Sequence, residues 1–175
     1  LASLVVAISL LSLAYVGWQV GDSLIVSMAL AGVGALLGFF IWNWPRGLIF
    51  LGDGGAYFVG YLVAVLSFLL VARHRGVVSP WYPFLLFIYP VFETLFSIWR
   101  KRLVRGNSPG VPDGLHLHML IFRRLVRWAV GRRDAASLTL RNSLTAPYLW
   151  LLSSLAAVPA TLLWRYPHAL QAFVA

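Results

Sequence analysis

Long runs of apolar residues, separated by short polar or glycine-rich segments, dominate the sequence. A helix that crosses the hydrocarbon core of a bilayer needs about 17–25 mostly apolar residues, and these runs meet or nearly meet that length. Tryptophans stand at the ends of most runs, as expected of side chains that lie at the membrane–water interface. The pattern predicts about five membrane-spanning helices, over residues 1–18, 24–42, 55–72, 81–99 and 143–164.

The composition supports a membrane protein and excludes several other classes. Of the 175 residues, 61% are hydrophobic and 11% are charged, and the mean hydropathy is +0.83. A soluble domain averages about 45–50% apolar and about 25% charged residues, so a soluble enzyme and a disordered chain are both excluded. Because cysteine is absent, a disulfide framework, a zinc–thiolate site and a thiol nucleophile are excluded as well. We therefore expect an all-α, polytopic transmembrane helical bundle that forms a single membrane domain over residues 1–175.

The basic residues orient the predicted bundle. There are 14 Lys and Arg against 5 Asp and Glu, and 11 of the basic residues fall in the segments 43–54 and 100–142. Lys and Arg are enriched in cytoplasmic loops, so these segments are expected on the cytoplasmic side of the plasma (inner) membrane of the cell. Residues 115–133 have the pattern of a basic amphipathic helix that lies on this surface. The basic residues lack a recognisable nucleic-acid module, so no nucleic-acid partner is expected.

The first candidate for chemistry is the glycine-rich segment that leads into the third predicted span. Asp53 lies between Gly52 and Gly54, and glycines let the backbone approach a ligand closely. A carboxylate at a helix N-terminus can hold Mg²⁺ whose other ligands are phosphate oxygens and water. An ordinary helix cap in a glycine turn is the alternative.

The second candidate is the pair His116 and His118, which follows a segment rich in proline and glycine. Two residues at positions i and i+2 share a face in an extended chain, and they point apart on a helix. The pair suits a diphosphate better than zinc, because no third or fourth ligand stands nearby in sequence. Interfacial histidines at a helix start are the alternative.

Glu93 is the third candidate, because it lies inside a predicted span. An ionisable group there is costly and usually faces a polar cavity or a partner. A buried tie to an arginine or to helix ends and a direct catalytic role are both open at this point.

Three segments together resemble one family, the polyprenyl-phosphate N-acetylhexosamine-1-phosphate transferases, also called glycosyltransferase family 4. The tract Asn43-Trp-Pro-Arg-Gly-Leu-Ile-Phe-Leu-Gly-Asp53-Gly-Gly resembles the family's Asn…Pro…Phe-(Met/Leu)-Gly-Asp-x-Gly-Ser motif. Pro90-Val-Phe-Glu-Thr94 resembles its Pro-x-x-Asp-Thr segment. Ser108-Pro-Gly-Val-Pro-Asp-Gly-Leu-His-Leu-His118 resembles its Ser-Pro…Asp…His-x-His-His loop. Within the family, the sequence is more similar to the bacterial undecaprenyl-phosphate N-acetylglucosamine-1-phosphate transferases.

The resemblance implies an activity and a set of site residues. The enzyme would transfer a phospho-sugar such as GlcNAc-1-phosphate from a UDP-sugar to undecaprenyl or another polyprenyl phosphate, with Mg²⁺ (or Mn²⁺) as cofactor. Such a reaction initiates cell-envelope polysaccharide synthesis, for example of lipopolysaccharide. Asp53, His116 and His118 would be catalytic, and Asp53 would also hold the metal. Substrates would contact Asn43, Gly52, Gly54 and both histidines.

The resemblance also implies that the chain is the C-terminal part of a longer transferase. The family has acidic Asp-Asp and Asn-x-x-Asp-Gly-x-Asp-Gly-Leu-Ala motifs upstream of these segments, and the chain opens on Leu1 rather than Met. We expect these 175 residues alone to be inactive. The assembly state stays open, a homodimer included. A membrane transporter and a non-catalytic membrane scaffold are the alternative functions.

Overall fold

The computed structural model describes residues 2–100, 102 and 146–174, and within these ranges the chain is helical and contains no strand. The helices, numbered in chain order, are α1 (Ala2–Gln19), α2 (Ser23–Asn43), α3 (Gly52–Arg73), α4 (Trp81–Leu86), α5 (Ile88–Trp99), α6 (Ala146–Leu162) and α7 (Pro167–Val174). The expected all-α class is therefore confirmed for the described residues.

Two of these helices, α2 and α3, are long and apolar enough to cross a membrane. Their most apolar windows have mean hydropathies of 2.4 and 2.2, yet only 22% and 28% of the residues in those windows are buried inside the protein. A core helix of a soluble protein hides its apolar surface, whereas these helices leave most of theirs exposed, as lipid-facing helices do. Shorter apolar helices occupy the first and the last predicted spans.

The fourth predicted span is broken into α4 and α5, which meet at Phe87. Pro90 has no N–H to donate to the carbonyl of Leu86, and its ring crowds that carbonyl. The helix therefore stops at Leu86 and a new one starts two residues later. The number of spans predicted from the sequence is not confirmed, and α7, which begins at Pro167 as helices often do, was not predicted.

Close contacts of small residues hold α1, α2 and α3 together. A Cβ atom added to Gly32 of α2 would lie 2.9 Å from Leu10 of α1 and 3.2 Å from Leu62 of α3. Small residues at helix interfaces in membranes allow backbones to approach in this way, and dispersion then stabilises the contact.

Hydroxyl groups connect α1 to α4 and α6 inside the bundle. The Ser12 hydroxyl lies 2.8 Å from the Tyr82 hydroxyl and 2.6 Å from that of Thr161. Tyr82 is fully buried, so these contacts satisfy polar groups that would otherwise be unpaired in an apolar interior. They fix α4 and α6 against α1.

The bundle has two ends, which we name by their aspartates. At the Asp22 end, the buried Asp22 carboxylate accepts a hydrogen bond from the Ile25 N–H (3.3 Å) and contacts His74 Nε2 (3.0 Å) and Arg73 Nε (3.3 Å). Burial alone raises the pKa of Asp22, but the hydrogen bonds and the charges of Arg73 and His74 outweigh burial and hold that pKa below its usual value. This cluster ties the α1–α2 turn to the C-terminal end of α3.

Candidate active site

The Asp53 end is built around the loop 44–51, which joins α2 to α3. Asn43, the last residue of α2, donates a hydrogen bond from Nδ2 to the carbonyl oxygen of Ile49 (2.7 Å), and its own carbonyl accepts from the Gly47 N–H (2.6 Å). Gly47 has a positive φ of 65°, which glycine adopts without strain. Asn43 therefore folds the loop back so that the candidate residues Asn43 and Asp53 stand at the same end of the bundle.

Asp53 lies in the first turn of α3 and its side chain is exposed. Gly52 before it has a φ of 66°, which turns the chain sharply into the helix. Leu51 at the N-cap position makes no side-chain hydrogen bond to the first backbone N–H groups of the helix. A negative charge in this turn is favoured by the helix dipole, and the free N–H groups suit an anionic ligand.

A long apolar groove of about 890 Å³ runs along α3. Five helices line it, with Val5 of α1, Ala64 of α3, Pro83 of α4, Val91 of α5 and Val174 of α7 among the lining residues. Its side chains are apolar apart from two serines. Ligand pockets measure about 300–1,000 Å³, so this groove is large enough for an extended apolar ligand.

Asp53 lies on the face of α3 that lines the groove. With about 100° of rotation per residue, four of the six groove-lining residues of α3 lie within about 40° of the direction of Asp53 around the helix axis: Gly60, Ala64, Ser67 and Val71. Phe68 and Val63 lie about 60° and about 80° away, on opposite sides of that direction. The groove begins at Gly60, which is about 10 Å from Asp53 along the axis at about 1.5 Å per residue. An exposed carboxylate therefore stands just beyond one end of an apolar channel, on the same helix face.

Glu93 lies on a different side of α5 from the groove. Its carboxylate accepts a hydrogen bond from the Tyr89 hydroxyl (3.0 Å), and both side chains are partly buried. The lining of the groove includes the neighbouring residues Val91, Phe92 and Leu95 but not Glu93. Tyr89 is thus a partner of Glu93 in this helix, whereas the sequence left open a tie to an arginine or to helix ends and a direct catalytic role.

The other predicted site residues, His116 and His118, and the predicted amphipathic helix 115–133 lie outside the described residues. Their roles stay predictions. Within the described part of the chain, no group of three His, Cys, Asp or Glu side chains is placed to hold a metal ion, so a metal there would need ligands beyond these side chains.

Sequence reasoning missed the groove, although its signal is present. Small residues recur at Gly60, Ala64 and Ser67 on one face of α3, with the i, i+4, i+7 spacing of a helix face. Small side chains leave space between helices, and these three residues line the groove on the side formed by α3. Phe50, two residues before Gly52 in the loop, was also not proposed as a site residue, and 87% of its surface is exposed.

The chain is thus an integral membrane protein with an exposed carboxylate about 10 Å beyond one end of an apolar groove, on the same face of α3. Residues 1–71 match the sequence model of glycosyl transferase family 4. Over these residues the chain is a glycosyl transferase family 4 sequence, and the resemblance inferred from its motifs is confirmed.

Curated relatives carry transferase names. The chain is 31% identical over 126 residues to a probable undecaprenyl-phosphate N-acetylglucosaminyl 1-phosphate transferase of Bacillus subtilis, covering 72% of this chain and 34% of the relative. It is 32% identical over 138 residues to a decaprenyl-phosphate N-acetylglucosaminephosphotransferase of Mycolicibacterium smegmatis, covering 73% and 30%. A phospho-N-acetylmuramoyl-pentapeptide-transferase of Streptococcus thermophilus is 37% identical over 70 residues, covering 40% and 21%.

The matches span about a third or less of the length of these three relatives. No solved structure matches the chain.

Proposed function

We propose that this chain is part of an enzyme that transfers phospho-N-acetylhexosamine, such as GlcNAc-1-phosphate, from a UDP-sugar to polyprenyl phosphate at the cytoplasmic face of the membrane. The observation that carries the proposal is the alignment of Asp53 with the apolar groove on one face of α3. A lipid phosphate has an anionic head and an apolar tail, and this arrangement offers a separate place to each. The names of the relatives supply the chemical class of both substrates.

In the proposed reaction, an oxygen of the acceptor phosphate attacks the sugar-bearing phosphorus of the UDP-sugar. A new P–O–P bond forms, the P–O–P bond to the nucleotide breaks, and UMP leaves with the electron pair. Both reactants are anions, so their approach requires positive charge around the phosphates. The uncapped N–H groups at the start of α3 provide partial positive charge at this end of the groove.

We propose that this end of the bundle binds a magnesium ion through Asp53. Mg²⁺ in phosphoryl-transfer sites is held by one or two carboxylates together with phosphate oxygens and water, and the exposed Asp53 carboxylate can supply one such ligand. When bound, the metal would neutralise charge on the phosphates. Asp53 itself would fix the position of the diphosphate relative to the groove.

The UDP-sugar, which donates the sugar phosphate, would lie over the loop 44–51. Asn43 holds this loop through Ile49, and the exposed Phe50 offers an aromatic face on which a nucleobase can stack. We propose that His116 and His118 complete the site by contacting the diphosphate. The variant His116→Ala is then expected to raise the KM for the UDP-sugar more than that for the lipid, and an equal effect on both would contradict this role.

The cytoplasmic orientation is supported by charge. Arg46 lies in the loop at the Asp53 end, and the basic segment 100–142 follows α5, which leads back to that end. Lys and Arg concentrate in cytoplasmic loops. The Asp53 end would therefore face the cytoplasm, where UDP-sugars are available.

The test uses the whole protein in membranes, with a radiolabelled UDP-sugar and polyprenyl phosphate. Asp53→Asn is expected to abolish transfer of the labelled sugar phosphate while the protein stays inserted. Asp22→Asn is the matched control, because it removes a carboxylate at the opposite end of the bundle and is expected to retain transfer well below its denaturation temperature. Turnover retained by Asp53→Asn would contradict the role of Asp53, and absence of transfer by the wild-type protein would contradict the proposed function.

A further inference from the structure

About two turns of α3 separate Asp53 from the beginning of the groove at Gly60, and Tyr57 lies between them. It lies four residues after Asp53 and three before Gly60. With about 1.5 Å of rise per residue, its Cα is about 6 Å from that of Asp53 and about 5 Å from that of Gly60 along the helix axis. Tyr57 is therefore the residue of α3 where the polar and apolar parts of the site meet.

Tyr57 also lies on the correct face of the helix. It is rotated by about 40° from Asp53 around the axis, within the range spanned by the groove-lining residues of α3. Side chains on a helix lean toward its N-terminus, so the ring covers the turn that carries Asp53. The side chain is 77% exposed, which leaves both its ring and its hydroxyl open to a ligand.

The neighbouring Tyr61 differs from Tyr57 in its direction. It is 70% exposed, but it is rotated by about 80° from Asp53, beyond the roughly 60° of Phe68, which is the groove-lining residue of α3 farthest on that side. Neither tyrosine is itself among the groove-lining residues. The two tyrosines have similar exposed fractions, but their directions around the axis of α3 differ, and Tyr57 is the one that lies closer to the direction of Asp53.

A phenol side chain suits the boundary between an anionic head and an apolar tail. Its ring extends an apolar surface, and its hydroxyl donates a hydrogen bond, which is why tyrosine is frequent where one end of a side chain is apolar and the other is wet. We propose that Tyr57 binds the lipid acceptor, with its hydroxyl donating to the acceptor phosphate and its ring packing on the first isoprene unit. This inference rests on the proposed transferase function.

The proposal is tested by steady-state kinetics of the whole protein carrying Tyr57→Phe, which keeps the ring and removes the hydroxyl. A hydrogen bond to a charged group is lost, so the KM for polyprenyl phosphate is expected to rise about tenfold. The kcat and the KM for the UDP-sugar are expected to stay unchanged. Tyr148→Phe is the matched control, because Tyr148 is also exposed, on α6 and outside the groove, and its variant is expected to leave all three constants unchanged.

Direct binding provides a second readout that does not depend on turnover. Tyr57→Phe is expected to weaken binding of polyprenyl phosphate about tenfold and to leave binding of the uncharged polyprenol unchanged. An unchanged acceptor KM and affinity, or an equal loss for phosphate and alcohol, would overturn the role of Tyr57 while leaving the transferase proposal intact. Absence of sugar-phosphate transfer to polyprenyl phosphate by the wild-type protein would overturn the transferase proposal instead.

Discussion

Replacing Asp22 measures how much one buried carboxylate contributes to the stability of the fold. This carboxylate lies at the end of the bundle opposite Asp53. The variant Asp22→Ala removes the cap on the Ile25 N–H, which is worth about 1 kcal/mol. It also removes the contact with His74, a hydrogen bond to a charged group worth about 1.5–3 kcal/mol. The ion pair with Arg73 adds less than about 1 kcal/mol, because the Arg73 side chain is half exposed and water screens it.

These contributions predict a loss of about 3 kcal/mol for Asp22→Ala. Asparagine caps a helix as well as aspartate does, so Asp22→Asn keeps the cap, loses the charge and is expected to cost about 1–2 kcal/mol. Each kcal/mol lowers the denaturation temperature of a domain of 150–250 residues by about 2–4 °C. We expect shifts of about 6–12 °C for the alanine variant and about 2–8 °C for the asparagine variant.

The assay is thermal denaturation of the purified protein in nanodiscs, at a series of pH values. Because the pKa of Asp22 is lowered on folding, its stabilisation is complete above the unfolded value of about 3.9 and is lost as the pH falls through the folded value. The difference between the wild type and Asp22→Asn should therefore be present at neutral pH and shrink below about pH 4.

Two arginines close to each other in sequence serve as a matched pair for this prediction. Arg73→Gln is expected to lower the denaturation temperature slightly, whereas Arg75→Gln is expected to leave it unchanged, because only Arg73 contacts Asp22. Equal denaturation temperatures of the wild type and Asp22→Asn at neutral pH would refute the reasoning about this cluster.

Three further variants test the packing and the loop geometry. Gly32→Ala should lower the denaturation temperature by several degrees because its Cβ meets Leu10 at 2.9 Å, whereas Gly34→Ala, on the same helix with open space around it, should not; equal shifts would contradict the close packing. Tyr82→Phe removes the hydroxyl contact to the helix α1 and should cost about 0.6–1 kcal/mol in thermal denaturation, so an unchanged temperature would contradict a stabilising contact. Gly52→Ala places a side chain at a φ of 66°, costs about 1–2 kcal/mol, and should reduce sugar-phosphate transfer by displacing the start of α3; full activity would show that this turn does not position the site.

The sequence pattern predicted the long helices well, because hydropathy and length decide them. The predicted span 24–42 is α2 within one residue at each end, and α3 extends the third span toward Asp53. The break at Phe87 was harder to predict, because Pro90 and Pro83 indicate a kink but its position also depends on packing against other helices. The short helix α7 was missed because eight residues give too little pattern.

The candidate site was predicted in part. Asn43 and Asp53 were identified from their motif, and the structure places them at one end of the bundle. The groove could not be predicted in the same way, because it also requires α1 and α7, which are far from α3–α5 in sequence, to pack beside them. The repeat of small residues from Gly60 to Ser67 is the sequence signal for the side of the groove that α3 forms.

The central claim is that the groove beside Asp53 holds the prenyl chain of the acceptor, and photocrosslinking tests it most directly. The whole protein in nanodiscs is irradiated with a polyprenyl phosphate that carries a photoreactive group on its chain, and the labelled peptides are identified by mass spectrometry. The account predicts label in residues 60–71 and 84–95, which excess polyprenyl phosphate displaces and polyprenol displaces less effectively. Equal labelling of the lipid-facing surface of α2 at Leu30 and Leu37, unaffected by the competitor, would contradict it.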